Sequence, residues 1–316
     1  MSSSGWNTIE SDAGVFTELI ETLGVKSVQF DELLSLDPSS LSALAPLYGV
    51  IFLFKWTQSV IAQQADGNGG KPVDGEYAPD AEYEIFFARQ KIQNACATQA
   101  ILSVLMNRGE VKLGSALSEF KDFTTGFDGE LRGETISNSD LIRTTHNSFS
   151  RPTPFVDESQ APRAATDDDD LYHFIAYVPI NGTLYELDGL QPYPITHGAC
   201  SDDEFPDKLT EVLYRRIGRY PEGEVRFNLL AVCADRRELL AEVGDVEGLS
   251  RENEKREEWK RENILRRENF VGLIAEMLKY VVADTVEKKG EEGFEGIIDE
   301  AKKKSMQRYE AMQRRR

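Results

Sequence analysis

The stretch from Gln90 to Leu102 reads QKIQNACATQAIL, and it places Cys96 where an apolar helical run begins. A thiolate in the first turn of a helix is stabilised by the positive end of the helix dipole. The side-chain amide of Gln90, six positions earlier, is a candidate donor to an oxyanion. A cysteine beside Ala, Ile and Leu is more commonly a buried, inert side chain. Cys96 is therefore a candidate nucleophile if the chain also supplies a base.

A predicted β-hairpin downstream supplies that base. Residues 171–180 read LYHFIAYVPI, Asn181-Gly182 favours a tight turn, and residues 183–189 read TLYELDG. His173 opens the first strand and Asp188 follows the second, so strand pairing brings the carboxylate to the imidazole. His173 would accept the thiol proton and Asp188 would orient it. Taken singly, these are a strand-edge histidine and a turn residue, but together with Cys96 they indicate a cysteine hydrolase.

These segments resemble the ubiquitin C-terminal hydrolase family of papain-like cysteine proteases. The similarity rests on Gln90, Asn94, Cys96, Thr98, His173, Leu187, Asp188 and Gly189. It spans residues 6–235 with gaps, and residues 10–20 and 51–56 are similar to the long, proteasome-associated member. The resemblance implies cleavage after the last glycine of ubiquitin, with Gln90 stabilising the oxyanion and with no cofactor or metal. It also implies a crossover loop at about residues 150–171, which would filter substrates by size.

The pattern along the chain predicts an α/β or α+β fold with a central antiparallel sheet. The expected helices and strands cover residues 8–23, 48–56, 94–107, 113–120, 139–148, 209–220 and 224–233, besides the hairpin. By resemblance, the fold is papain-like and helices flank the sheet on both sides. We expect a catalytic domain over residues 1–236 and a C-terminal helical extension over residues 237–316.

The tail carries a broad apolar face at helical spacing. Its central members are Phe270, Leu273, Ile274, Met277 and Leu278. This face would be covered by the catalytic domain, by self-association or by a partner. The segment resembles the adaptor segment of the proteasome-associated member, which implies docking on a proteasomal ubiquitin receptor; a chromatin-remodelling complex is a second candidate partner. Because every candidate catalytic residue precedes residue 236, a chain ending there is expected to keep its small-substrate cleft.

Charge is divided unevenly along the chain. Residues 1–250 carry 19 basic and 40 acidic residues, whereas residues 251–316 carry 17 and 15. So acidic a domain argues against direct binding of nucleic acid, which needs clustered Lys and Arg. It suits a basic partner such as the arginine-bearing C-terminal strand of ubiquitin. The four aspartates at 167–170 could contribute to an acidic entrance, but such a run is more often a solvated loop.

The three cysteines, Cys96, Cys200 and Cys233, do not suggest a disulfide framework and favour a reducing compartment. No signal peptide is recognisable, and no run approaches the roughly 18 apolar residues of a membrane span. We therefore expect a soluble protein of the cytoplasm and nucleus that does not bind membranes. Cys200 lies near His197, but two ligands are too few for a metal site.

Two other functions stay open. The chain could be a ubiquitin-binding scaffold whose thiol is idle, although the intact catalytic set argues against it. It could also hydrolyse a ubiquitin-like modifier, which shares the diglycine end. Turnover of a fluorogenic ubiquitin amide, compared with the amides of ubiquitin-like proteins, separates these functions.

Overall fold

The computed structural model describes residues 5–55, 71–151, 172–220 and 227–313. Its described residues form two compact units, one extending to Arg267 and the other beginning at Glu268. The predicted crossover loop lies outside the described residues, except at its first positions, and so do the aspartates at 167–170. Within the described ranges, no helix is both long and apolar enough to cross a membrane.

The first unit is built on an antiparallel sheet, as the sequence predicts. Its strands within the described ranges are β1 (Val28–Glu32), β2 (Leu47–Lys55), β3 (Glu76–Tyr77), β4 (Tyr172–Ile180), β5 (Thr183–Leu187), β6 (Ile195–Ala199) and β7 (Phe227–Ala234). Their order across the sheet is β1-β7-β2-β4-β5-β6-β3. The longest strands, β2 and β4, therefore pair at its centre.

The predicted hairpin is formed by β4 and β5. Asn181 and Gly182 both have positive φ angles, of 51° and 76°. Asn and Gly adopt this left-handed region most readily, and two such residues make the turn that suits the twist of paired strands. The register pairs Ile180 with Thr183 and Ala176 with Leu187. This register places Asp188, one residue beyond β5, near the start of β4, where His173 lies.

Helices cover both faces of the sheet. They are α1 (Ala13–Thr22), α2 (Pro38–Ser42), α3 (Cys96–Leu105), α4 (Gly114–Phe123), α5 (Gly129–Asn138), α6 (Asp140–Ser148), α7 (Phe205–Ile217), α8 (Arg236–Val243) and α9 (Val246–Arg267). One apolar core joins α1 and α3 to Phe174, Ala176 and Val178 of β4, and a second joins α7 to Ile175 and Tyr177. A strand buried on both faces reads as a continuous apolar run, which explains the sequence of β4.

Helix α9 belongs to the first unit, so the boundary expected near residue 236 lies inside that unit. Trp259 packs so closely on α1 that a Cβ at Gly14 would lie 2.6 Å from its Cγ. The Arg256 guanidinium is only 4% exposed and pairs with Asp235 at 3.2 Å and Glu21 at 3.1 Å. These buried polar contacts hold α9 in place although the helix has few apolar residues.

The second unit consists mainly of α10 (Val271–Gln313), which is interrupted at Gly290, where φ is 70° and ψ is 176°. The apolar side chains predicted for this segment are exposed: Phe270, Leu273, Ile274, Met277 and Leu278. We call these five residues the apolar face of α10. They form a surface that a partner could cover.

Candidate active site

Cys96 is the first residue of α3, as the sequence predicts for a nucleophile in the first turn. A short 3-10 turn, Gln93–Ala95, precedes it and leads the chain into the helix. The amide N–H groups in the first turn of a helix have no acceptor within the α-helix, and such groups can donate to an oxyanion. The thiol is partly exposed.

His173 and Asp188 meet as expected from the hairpin. Nε2 of His173 lies 2.7 Å from Oδ1 of Asp188, and both side chains are buried. The carboxylate also accepts from the Leu190 amide at 3.0 Å and from the Gln191 side chain at 3.4 Å. These donors fix the carboxylate, and the carboxylate in turn fixes the imidazole.

The Cys96 thiol hydrogen-bonds to His173. Because Nε2 is engaged by Asp188, Nδ1 is the ring nitrogen that faces the thiol. Burial lowers the pKa of His173, but the charge and hydrogen bond of Asp188, with a smaller contribution from Cys96, outweigh it and raise the pKa to about 9. The imidazole is therefore protonated at neutral pH. The rings of His173 and Phe54 pack edge to face, with their centroids 5.7 Å apart.

Gln90 lies beside the loop that carries Asp188. Its backbone amide donates to the Gly189 carbonyl at 2.8 Å. A Cβ at Gly189 would lie 3.0 Å from Cβ of Gln90 and would also clash with the side chain of Gln99. Glycine is therefore required after Asp188 for the approach of these two segments. The structure thus brings Gln90 to the Asp188 loop, and its role as an oxyanion donor stays a prediction.

Arg132 is a supporting residue that the sequence did not reveal. It is 3% exposed, and its Nη1 donates to the carbonyls of Glu82, Ile85 and Phe87 at 3.0, 3.1 and 2.9 Å. These contacts hold the segment that leads into Gln90. Helix α5, which carries Arg132, was not predicted, because its buried face contains two glycines and an arginine and shows little apolar periodicity.

Asn94 and Thr98, the other polar residues of the Cys96 motif, hold the N-terminal segment against α3. Nδ2 of Asn94 donates to the Trp6 carbonyl at 2.9 Å. Nε2 of His146 lies 2.6 Å from the Asn7 carbonyl and must carry the proton, so Nδ1 accepts from the Thr98 hydroxyl at 2.7 Å. Burial lowers the pKa of His146, which is consistent with this neutral tautomer.

A cleft of about 370 Å³ opens at Cys96. Its lining comes from α3, from β2 and β4, and from the N-terminal segment, and comprises Asn94, Cys96, Ala97, Leu53, Tyr172, Phe174, Thr8, Ile9, Glu10 and Ser11. A substrate chain that presents a carbonyl to Cys96 can occupy this cleft.

The other two cysteines are buried thiols. Burial raises the pKa of Cys200 to about 11 and raises the pKa of Cys233 still further. His197 bonds to Glu186 at 3.1 Å. In the described part of the chain, no group of three or more His, Cys, Asp or Glu residues could hold a metal ion.

Comparison with known proteins agrees with this geometry. A family model described as ubiquitin carboxyl-terminal hydrolase, family 1, matches residues 6–218, and one described as ubiquitin carboxyl-terminal hydrolases matches residues 245–285. Ubiquitin carboxyl-terminal hydrolase 2 of Schizosaccharomyces pombe is 52% identical over 90% of this chain and 93% of its own length.

Two solved structures of UCH37 from Trichinella spiralis, each bound to ubiquitin vinyl methyl ester, are also similar. The catalytic domain has a TM-score of 0.60 at 39% identity, over 73% of this chain and 95% of that chain. The second has a TM-score of 0.61 at 33% identity, over 83% and 99%. The chain therefore belongs to the ubiquitin carboxyl-terminal hydrolases of family 1 and is a cysteine-type ubiquitin hydrolase.

Proposed function

We propose that this enzyme cleaves the peptide or isopeptide bond after the C-terminal glycine of ubiquitin through a covalent thioester. The observation that carries the proposal is the continuous hydrogen-bonded set of Cys96, His173 and Asp188 at the cleft. A nucleophile, a base within hydrogen-bond reach and a group that orients the base are the parts that acyl transfer requires.

In the proposed first half-reaction, the proton shared by Cys96 and His173 lies on Nδ1 of His173, and the Cys96 sulfur attacks the glycine carbonyl carbon to form a tetrahedral oxyanion. The Cys96 N–H and the Gln90 side chain donate to this oxyanion. The C–N bond then breaks as Nδ1 of His173 gives its proton to the leaving amine. Ubiquitin remains attached to Cys96 as a thioester.

In the second half-reaction, water attacks the thioester carbonyl and His173, now neutral, takes a proton from that water. The C–S bond breaks, and the sulfur leaves beside the imidazolium that has just formed. Ubiquitin is released with a free C-terminal carboxyl group, and Cys96 and His173 again share one proton. Asp188 keeps the imidazole oriented through both half-reactions.

Hydrolysis of a fluorogenic ubiquitin amide tests the function directly. We expect wild type to prefer this substrate over the amides of ubiquitin-like proteins. Cys96→Ala should abolish turnover while ubiquitin binding persists, because the cleft retains its lining, and Cys200→Ala should remain active as the matched control. Turnover by purified Cys96→Ala, or a preference for another modifier, would contradict the assignment.

We also propose that the apolar face of α10 docks on a proteasomal ubiquitin receptor, which would place the enzyme in the cytoplasm and nucleus. A chromatin-remodelling complex is the alternative partner for the same surface. The exposure of these side chains supports a docking role, since Leu273 is 58% and Met277 is 60% exposed. Exposed apolar surface of this kind commonly marks a protein interface.

The test is a pull-down of the purified receptor by wild type, Leu273→Glu and Ala275→Glu. Both substitutions add one carboxylate to α10, but Ala275 lies off the apolar face of α10. We expect Leu273→Glu alone to lose the receptor. Equal retention by both variants would remove the docking assignment.

A further inference from the structure

One side of the catalytic cleft is formed by Thr8–Ser11, a segment that belongs to no helix and whose only strand-like contact within the described residues is a bridge between Ile9 and Ser150. Upstream, the segment is tied at the Trp6 and Asn7 carbonyls. Downstream, it runs directly into Asp12 and α1. Within the segment, the Asn228 side chain donates to the Ser11 hydroxyl at 3.3 Å. The position of the segment beside Cys96 depends further on what holds its downstream end.

Arg266, near the end of α9, contacts that downstream end twice. Its Nη2 lies 2.9 Å from Oδ2 of Asp12, and its Nε lies 3.5 Å from Oε2 of Glu10. Oδ1 of Asp12 meanwhile accepts from the Val15 amide at 3.0 Å and so caps α1. The Arg266 guanidinium thus links Asp12, which caps α1, to Glu10 in the cleft segment.

The charge state of Asp12 fits this contact. Burial raises its pKa, but the hydrogen bonds from Arg266 and from the Val15 amide, together with the charge of Arg266, lower it below the ordinary value. Asp12 is therefore ionised at neutral pH. Glu10 also pairs with Arg151, so the end of the cleft segment lies between two arginines.

Arg266 is itself held by a well-packed helix. The neighbouring Asn263 is 2% exposed and donates to the Gly14 carbonyl at 3.2 Å and to Glu18 at 2.7 Å. Arg267 pairs with Glu18, and its guanidinium lies 4.5 Å from the centre of the Phe149 ring. The end of α9 is thus fixed on α1 and on the residue that follows α6.

We propose that Arg266 is a positioning residue for substrate binding, which holds Thr8–Ser11 as a wall of the cleft through Glu10 and Asp12. The proposal rests on the proposed function, because the bound group is the C-terminal strand of ubiquitin. Arg266 does not contact Cys96, His173 or Asp188 in the described structure, so its loss acts on the affinity of the cleft and not on the chemical step.

The direction of the change in KM distinguishes a positioning role of Arg266 from a general effect of its charge. The chain has a net charge of −19. Removing one arginine makes it more acidic, and long-range attraction alone would then favour a basic substrate. A weaker interaction with ubiquitin in the Arg266 variant therefore requires the local contact. Because the ion pairs are partly exposed, we expect a rise in KM of about three- to ten-fold.

The experiment compares wild type, Arg266→Ala, Arg266→Lys and Arg261→Ala. Arg261 is an exposed arginine on the same helix, and its loss removes the same charge without touching Glu10 or Asp12. We would measure kcat and KM for a ubiquitin amide, alkylation of Cys96 by iodoacetamide, and hydrogen exchange of the amides of residues 8–11. Alkylation reports the thiol without requiring the ubiquitin-binding wall.

Arg266→Ala should raise KM and speed exchange at residues 8–11, while kcat and alkylation stay near wild type. Arg266→Lys should restore part of the KM, and Arg261→Ala should match wild type. Unchanged exchange, an equal KM in Arg266→Ala and wild type, or an equal effect of Arg261→Ala would overturn the inference. Failure of wild type to hydrolyse the ubiquitin amide would instead refute the proposed function, whereas the exchange result would still decide whether Arg266 holds the wall.

Discussion

Replacing Asp188 with asparagine tests the electrostatics of the active site. Burial lowers the pKa of His173, but Asp188 and Cys96 together raise it from 6.5 to about 9. A shift of this size corresponds to about 3 kcal/mol in favour of the imidazolium. Asparagine keeps the shape of the side chain and removes its charge. We therefore expect the pKa of His173 in Asp188→Asn to fall to 6.5 or below.

The proposed mechanism uses the imidazolium to protonate the leaving amine, so activity should follow its population. At about pH 8, a pKa of about 9 leaves roughly 90% of the imidazole protonated, whereas a pKa of about 6.5 leaves roughly 3%. Asp188→Asn should thus lose about 30-fold or more in kcat/KM at this pH. At about pH 6 a fall of the pKa to about 6.5 changes the population by less than about two-fold, and a larger loss of activity there reports either a still lower pKa or a lost orientation of the imidazole.

The assay is the pH profile of kcat/KM for a fluorogenic ubiquitin amide. Wild type should lose activity as the pH rises through about 9, and the descending limb of Asp188→Asn should begin at or below about pH 6.5. Asp207→Asn is the matched control, because it removes one exposed carboxylate from α7. A descending limb at the same pH in wild type and Asp188→Asn would refute the reasoning.

Three further predictions concern stability, the oxyanion and α9. Because the folded-state pKa of His173 is raised to about 9, the stability that its protonation contributes is fully present below about pH 6.5 and is lost as the pH rises through about 9. The Tm of wild type should therefore exceed that of Asp188→Asn by an amount that shrinks across this pH range. A difference in Tm that stays constant would contradict this prediction. Gln90→Ala should lower kcat by roughly 10² to 10³ with little change in KM, whereas a change in KM alone would make Gln90 a binding residue. A chain ending at residue 267 should keep the wild-type KM for a ubiquitin amide, and a chain ending at residue 236 should show a higher KM; equal values would argue against support of the cleft by α9.

The last of these predictions reverses an expectation drawn from the sequence, and the reason is physical. The candidate catalytic residues could be proposed from the sequence because each has a local signature: Cys96 begins an apolar helix, and Asn181-Gly182 sets the turn that brings Asp188 to His173. The contacts of α9 have no such signature. Its buried residues include Arg256 and Asn263, which hydropathy assigns to the surface, and Trp259 packs on a glycine about 245 positions earlier in the chain.

Helix α5 escaped prediction for a related reason. A Cβ at Gly133 would clash with the Arg89 carbonyl, so this glycine permits a close approach of helix and loop. In a sequence, a glycine within a polar segment more often indicates a break in structure than a contact. The antiparallel sheet and the meeting of His173 with Asp188 could thus be predicted from local patterns, whereas the contacts that support them depend on close approaches between segments distant in sequence.

The order of the strands bears on how the protein is made. β7 lies between β1 and β2, so β1 receives its strand partner, and β2 receives its second partner besides β4, only after residue 234 has been synthesised. On the ribosome, the edge of β2 that pairs with β7 therefore stays unpaired while nearly 180 further residues are added. Unpaired apolar strands are the part of a nascent chain most prone to aggregation. Biosynthesis of this enzyme should consequently depend on chaperones that shield the N-terminal strands until the sheet can close.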